Sequence, residues 1–275
     1  MIDGNMRLIS MLGLITILVV AGLLLDYFRL LRRPHRLGMW LALLGIVAGL
    51  GLTLSAVLPN NHFYGMAFSE IPTSRKELAL TFDDGPYPPY TDQILDILKE
   101  YQVPATFFVI GQNAEKHPEL VARIVREGHQ VGNHSYHHVD LLKADSSVIA
   151  AEIDRTSQVI ANITGQPPKF VRPPHGFRDP VVMEAMNKRG LTVVEWSVMS
   201  RDWTNPGVEA IVERTVGKVQ NGSVILLHDG DGVAQAASRA QSVEATRRII
   251  QQLRAQGYTF VTVNEILAKP EDGHK

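Results

Sequence analysis

The chain of 275 residues contains no cysteine, so disulfides are excluded as a source of stability. Net charge is almost absent as well: 27 basic residues stand against 28 acidic ones, a formal balance of -1. Nothing in that balance recruits nucleic acid or an acidic surface. Two kinds of site are missing too. No Glu directly follows the first His of a His-x-x-x-His pair, because that position is Ser135, and this disfavours the zinc-protease helix. Nor is a second, separated carboxylate marked out across a bond, as a glycosidase needs.

Hydrophobic length, by contrast, is present in excess. The mean hydropathy of 0.00 is high for a soluble enzyme, and the excess comes from the first 58 residues. Residues 8–25 and 37–58 are uncharged apolar runs, each close to the ~20 residues that cross a bilayer as a helix. Between them Arg29, Arg32, Arg33 and Arg36 face a single Asp26, so the loop belongs on the cytoplasmic side and both chain ends outside. Tyr27, Phe28 and Trp40 flank it as interfacial aromatics do. A cleaved signal peptide fits less well, since Arg32-Arg33 follows the first run where a small-residue cleavage site would be needed. Cleavage near Ser55-Ala56 is a second alternative. Gly45 and Gly49 have the spacing of a small-xxx-small helix contact. The lipid bilayer is therefore an expected partner; oligomeric state has no signature.

Residues 59–75 carry Pro, Asn, Gly and Ser without helical period and read as a linker. A soluble domain follows over 76–268, with a polar tail at 269–275. Apolar or β-branched runs at 78–82, 105–110, 130–132, 169–171, 192–198, 223–227 and 259–263 alternate with helical patterns at 91–101, 118–127, 146–164, 180–189, 208–219 and 243–256. Alternation of this kind predicts an α/β fold with a parallel sheet. Seven strands in under 200 residues point to a curled barrel, with an open doubly wound sheet as the alternative.

Polar residues gather where strands end. Asp83 and Asp84 follow the first strand, His134 and His138 the third, Arg172 the fourth, Asp202 and Trp203 the fifth, and His228 and Asp229 the sixth. Two adjacent carboxylates repel, and a cation bound by one of them is the simplest relief. His134 and His138 would share one face of a helical turn, and with one Asp they form a two-His, one-carboxylate set suited to Zn²⁺ or another divalent first-row ion. Spacing alone also allows His137. The same donor set fits a non-haem iron oxygenase, but nothing in the chain suggests a cosubstrate clamp.

Taken together and in order, Thr81-Phe82-Asp83-Asp84-Gly85, His134-Ser135-x-x-His138, Arg172-Pro173-Pro174-His175-Gly176, Asp202-Trp203 and Leu227-His228-Asp229 resemble the polysaccharide deacetylases of the NodB-homology family (carbohydrate esterase family 4). The resemblance covers the soluble domain and leaves out the two apolar runs. It implies a distorted (β/α)7 barrel that removes acetyl groups from an N-acetylated polysaccharide such as peptidoglycan, chitin-like or poly-N-acetylglucosamine chains. By the same resemblance Asp83 is the general base and Arg172 its partner. Asp84, His134 and His138 hold a divalent metal, most simply Zn²⁺, with Co²⁺, Mn²⁺ or Ni²⁺ as substitutes. Asp202 charges the acid His228, while Trp203 and Leu227 line the acetyl pocket. One departure is His175, where the family usually has Tyr; the family role belongs to the backbone N–H there, so the side chain is expected to alter sugar contacts. An O-acetyl esterase on xylan-type ester and an inactive membrane-tethered glycan-binding protein are the competing readings on the same scaffold.

Overall fold

The structure is a computed structural model that describes residues 7–30 and 37–268. The arginines at 32, 33 and 36 and the 269–275 tail lie outside the described residues. Two long apolar helices come first, α1 (Leu8–Leu30) and α2 (Leu37–Val57). They pack against each other, Gly45 lying so close to Val19 that a Cβ there would sit 2.3 Å from the valine methyl. Glycine is what permits that approach. Windows Leu8–Phe28 and Gly38–Val57 are long and apolar enough to cross a membrane, and most of their side chains face outward rather than into protein.

The domain alternates strand and helix: β1 (Glu77–Asp83), α3 (Tyr90–Tyr101), β2 (Thr106–Val109), α4 (Gly111–Lys116), α5 (Pro118–Arg126), β3 (Gln130–Asn133), α6 (Ser146–Thr164), β4 (Phe170–Val171), α7 (Pro180–Asn187), β5 (Thr192–Val193), β6 (Val198–Met199), α8 (Val208–Val216), β7 (Val224–His228), α9 (Ala240–Ala255), β8 (Thr259–Val261) and α10 (Val263–Ala268). Local sequence accounts for the boundaries. α6 ends on Gly165 at φ 78, a left-handed cap that glycine takes without strain. α7 starts with Pro180 in its first turn, and the Asp179 carboxylate accepts from the Val182 N–H at 3.0 Å. α4 and α10 are short and were not anticipated, since six residues are too few to show a helical period.

Every strand pairing is parallel, in the order β5-β4-β3-β2-β1-β7-β6, with β8 against the first half of β1. The run 192–198, expected as one strand, is two. β5 pairs with β4 at one edge of the sheet and β6 with β7 at the other. Only a few residues join them, a reach of under about 20 Å, so the sheet edges must approach and the sheet curls into a distorted barrel. Strand alternation sorts the core. Ala79, Phe108, Phe170, Val194, Val224 and Val261 fill the inside, while Leu78, Leu80, Phe82, Phe107, Ile225 and Leu227 face the helices.

Residues 59–75, read as a linker, lie along this domain. The Phe68 N–H donates to Val193 O at 3.0 Å and its carbonyl accepts from the Glu195 N–H at 2.8 Å, which fills the gap left by the broken strand. Further on, Ile71 N–H donates to Gly222 O at 2.9 Å. The segment is thus a strap running from the carboxyl-end side of the barrel to the amino end, where β1 begins. Gly222 sits under it at φ 80, and a Cβ there would meet Ile71 O at 1.7 Å. Gly222→Ala should therefore lower stability by about 1–3 kcal/mol more than Gly165→Ala, which has the same backbone hand but open space around it. Thermal unfolding of the two variants in detergent measures the difference; equal losses would mean that the strap is not held there.

Candidate metal and proton-transfer site

At the end of β1, alternation points Ala79, Thr81 and Asp83 into the barrel. Continued pleating would send Asp84 the other way. The reversal occurs at Asp84 itself, whose φ of 76 lies in the left-handed region that Asp tolerates better than most residues. Both carboxylates consequently face one place, 3.7 Å (Asp83 Oδ2) and 3.5 Å (Asp84 Oδ1) from His134 Nε2. Gly230 closes in from behind, and a Cβ there would lie 2.1 Å from Asp84 O.

His134 and His138 do not lie on a helix. They belong to a tight loop with Ser135 and His138 at φ 61 and 56, closed by hydrogen bonds from Ser135 N–H to Asn133 Oδ1 (2.8 Å) and from His138 N–H to Ser135 Oγ (3.1 Å). The loop still brings the two rings within 5.0 Å of each other. His134 Nδ1 is 2.7 Å from Arg172 O, so it carries the proton and leaves the Nε2 lone pair toward Asp84. His138 Nε2 is 3.3 Å from Asp84 Oδ1. One ligand atom from each of Asp84, His134 and His138 lies within 4.8 Å of the others. His137, the alternative ligand, is turned away onto Glu152, with Nδ1 2.6 Å from Oε1.

These three residues fit a divalent cation. Asp84 Oδ1 is buried without any hydrogen-bond partner, a costly state unless a cation satisfies it. Burial opposes the charge on Asp84, yet the imidazoles of His134, His138 and His228 around it hold its carboxyl well below the usual range. Burial pushes the His138 imidazole down to about 4, outweighing Asp84, so it is neutral and ready to ligate at pH 7.

Asp83 is tied to a different cation. Arg172, fully buried, donates from one Nη at 2.7 Å to Asp83 Oδ1 and at 2.9 Å to Thr81 Oγ1. Its other donors reach Val194 O (3.0 Å) and Glu195 O (2.9 Å), and its guanidinium lies over the Phe108 ring. Thus one Asp83 oxygen is occupied and the other faces the cleft.

His228 is set opposite. Register places it beside Asp83 across β1 and β7. Asp202 Oδ1 is 2.8 Å from His228 Nδ1, and Oδ2 accepts from the His228 N–H (2.8 Å) and Ser242 Oγ (2.7 Å). Burial works against a charged imidazole here, but Asp202 outweighs it and raises His228 to about 9. Its Nε2 is left for the cleft. Trp203 stands edge-on to the ring at 5.1 Å and is 38% exposed.

The cleft measures about 470 Å³ and is lined by Asp83, Asp84, His134, His138, His175, Phe177, Trp196, Met199, Trp203 and Leu226 among others. Leu227 is not among them. It faces the helix layer at 0% exposure, because side chains two apart share a strand face and His228 takes its inward neighbour to be Leu226. That period was readable from the sequence. His175 is exposed at φ 61 in a 3₁₀ turn (Pro174–Gly176), its ring 4.8 Å from that of His138. Several supporting residues had no motif to announce them. Asn113 donates to Asp84 O (2.9 Å) and Gly232 O (3.0 Å), and Asn133 orients the His134 loop. Ser200 and Ser242 saturate Asp202. In the loop after β7, Asp229 is buried on Thr91 and Asp231 pairs with Arg239.

Fold and site together define a parallel α/β barrel with a two-His, one-Asp cluster and the Asp83–Arg172 and Asp202–His228 pairs at its carboxyl end. A sequence model described as polysaccharide deacetylase matches residues 70–194. A peptidoglycan-N-acetylglucosamine deacetylase of Bacillus cereus is 39% identical over 200 residues, covering 72% of this chain and 91% of the relative. A chitooligosaccharide deacetylase of Rhizobium leguminosarum bv. trifolii is also 39% identical over 200 residues, covering 70% and 93%. Among solved structures, a peptidoglycan N-acetylglucosamine deacetylase in complex with 4-naphthalen-1-yl-N-oxidanyl-benzamide superposes with a TM-score of 0.68 at 39% identity, covering 73% of this chain and 91% of that one. The chain belongs to the polysaccharide deacetylase family.

The Asp202–His228 pair can be tested on its own. Removing the carboxylate charge removes the main cause that raises His228, so in Asp202→Asn its pKa should fall from about 9 by at least ~1 unit. Exchange of the imidazole C2–H, read by mass spectrometry across pH, measures it; an unmoved midpoint would remove Asp202 from this role.

Proposed function

We propose that the chain is a metal-dependent hydrolase that removes acetyl groups from N-acetylated glycan, of the peptidoglycan or chitin-like kind on which the relatives are named as acting. The observation that carries this is the division of labour at the end of β1: Asp84 faces two imidazoles with an unpartnered oxygen, while Asp83, one residue away, is held by Arg172. Asp84, His134 and His138 would hold the cation. A two-nitrogen, one-oxygen set with open positions favours Zn²⁺, with Co²⁺, Mn²⁺ and Ni²⁺ as substitutes. Such a cation supplies acidified water and a polarised carbonyl when bound.

The chain's own groups do the rest. Asp83 Oδ2, the oxygen that Arg172 leaves free, takes the proton of the attacking water. Arg172 cannot move from the carboxylate, since four further acceptors and rings fix it, and so the base is oriented before substrate arrives. The backbone N–H of His175 is the proposed donor to the oxyanion, an effect of ~3–4 kcal/mol for one such donor in a dry site. His228 stays protonated near neutral pH through Asp202 and gives its proton to the departing amine nitrogen, which cannot leave as an anion. Trp203 and Leu226 would contact the acetyl methyl, and the His175 ring the sugar.

The reading extends to location. α1 and α2 form a membrane hairpin with the domain outside, which is supported by the arginine-rich loop between them and by contacts that tie the start of α1 and the end of α2 to the same side of the domain.

Alanine at Asp84, His134 or His138 should strip the metal and reduce acetate release by more than ~100-fold, since even outer partners of such ligands are worth about 10–100-fold. Elemental analysis and acetate assay on N-acetylated oligosaccharide, before and after chelation and add-back, check this. Full turnover after exhaustive chelation would overturn the metal-dependent reading.

A further inference from the structure

The two apolar helices do not hang from the domain; they are clamped to the loops that build the cleft. Asp179 Oδ2 accepts from the first N–H of α1 (Leu8, 3.1 Å) and lies 3.2 Å from Arg7 Nε, while Oδ1 of the same carboxylate caps α7. Arg7 also donates to Leu141 O at 2.8 Å. Next in sequence, the buried Arg178 gives its N–H to Ala56 O (3.0 Å) and one Nη to the carbonyls of Leu58 (2.7 Å), Pro59 (3.0 Å) and Asn61 (2.7 Å), just past the end of α2. Its other Nη reaches Glu195 and Gly176 O. Leu8, Met11 and Ala56 are buried in one apolar cluster with Val182, Met183 and Met186.

Sequence distance turns these contacts into a position. His175 and Phe177 line the cleft, and Arg178 and Asp179 follow them directly; His138 lines it too, and Leu141 is three residues on. Three residues reach at most about 10 Å. The outer ends of both helices therefore meet the rim of the cleft, at the carboxyl end of the barrel. The strap explains how this is possible. A span running straight into β1 would set the amino end of the barrel against the membrane, whereas the strap carries the chain back along the whole barrel first. Beside the clamp, Tyr64 reaches down to Leu52 O (3.0 Å), about 7 Å below the end of α2, and its neighbours Phe63 and Met66 are 55% and 63% exposed. Exposed apolar side chains at that level belong in the headgroup layer.

We infer that the cleft opens at the membrane surface, and that its substrate class is N-acetylated glycan presented on the membrane, with its end held in the same leaflet by a lipid, rather than free polymer at a distance. This rests on the reading of α1 and α2 as spans and of the cleft as a deacetylase site. Holding enzyme and glycan in one surface raises their effective concentration without any new contact.

The test uses the full chain reconstituted in vesicles. Because the chain has no cysteine, single labels are clean. A fluorophore on Lys143→Cys, in the loop after His138, should be quenched by headgroup nitroxide lipid at least ~3-fold more than one on Asn264→Cys at the amino end of the barrel. In the same vesicles, kcat/KM for a lipid-linked N-acetylglucosamine oligomer should exceed that for the soluble oligomer by about tenfold or more, and detergent should remove the difference. Equal quenching, or no preference while soluble oligomer is still deacetylated, overturns this inference and leaves the deacetylase reading standing. Failure to float with vesicles overturns the span reading and this inference with it; flotation without acetate from either substrate overturns the deacetylase reading and this inference together.

Discussion

Two buried carboxylates side by side are the constraint on which the structure turns. Moving one such ion out of water costs several kcal/mol even after relaxation, and two adjacent ones add their repulsion. The chain separates the problem. Asp83 receives a guanidinium that is itself held on every side, and Asp84 receives two imidazoles and one unfilled oxygen. The backbone reversal at Asp84 makes both solutions available at one spot. Arg172 and the His134 loop are in turn joined, since Arg172 O accepts from His134 Nδ1. Asp83, Arg172 and the His134 loop thus form one hydrogen-bonded unit across the ends of β1, β3 and β4, with His228 facing it from β7.

Much of this was legible in the residues. Alternating strand and helix patterns gave the architecture, and polar residues at the strand ends marked the carboxyl face as the site. Most of the residues that cluster there stand in five ordered motifs. What the residues did not reveal has physical causes. His134 and His138 are brought together by two left-handed residues in a loop, and a spacing of four reads as helix whether or not a helix forms. Leu227 was taken for a cleft residue through its place in a motif, although the strand period assigns that face to Leu226. The run 192–198 looks continuous because β-branched residues favour extended chain on either side of a break. Polar partners such as Ser242 and Asn113 come from distant elements, and no local pattern betrays a contact made by tertiary folding.

The clamp around Arg178 and Asp179 adds a second level. Asp179 caps α7, and the same carboxylate also receives α1. Arg178 takes three carbonyls just past the end of α2 while its partner Glu195 supplies the carbonyl that helps hold Arg172. Arg178 and Asp83 are therefore separated by two residues, Glu195 and Arg172, of one buried network. The segment 59–75, which composition alone makes a linker, closes the barrel and sets which of its ends meets the helices.

The central claim is that the neighbouring aspartates are different tools, Asp84 for the metal and Asp83 for the proton. Asp83→Asn is nearly isosteric and keeps an acceptor for Arg172, so it tests the division directly. The measurement is bound metal and acetate release on the same purified sample. The account predicts an unchanged metal content with turnover reduced by at least ~100-fold, in the range set by loss of a general base. Loss of metal and activity together, or near-normal turnover with the metal in place, would contradict it.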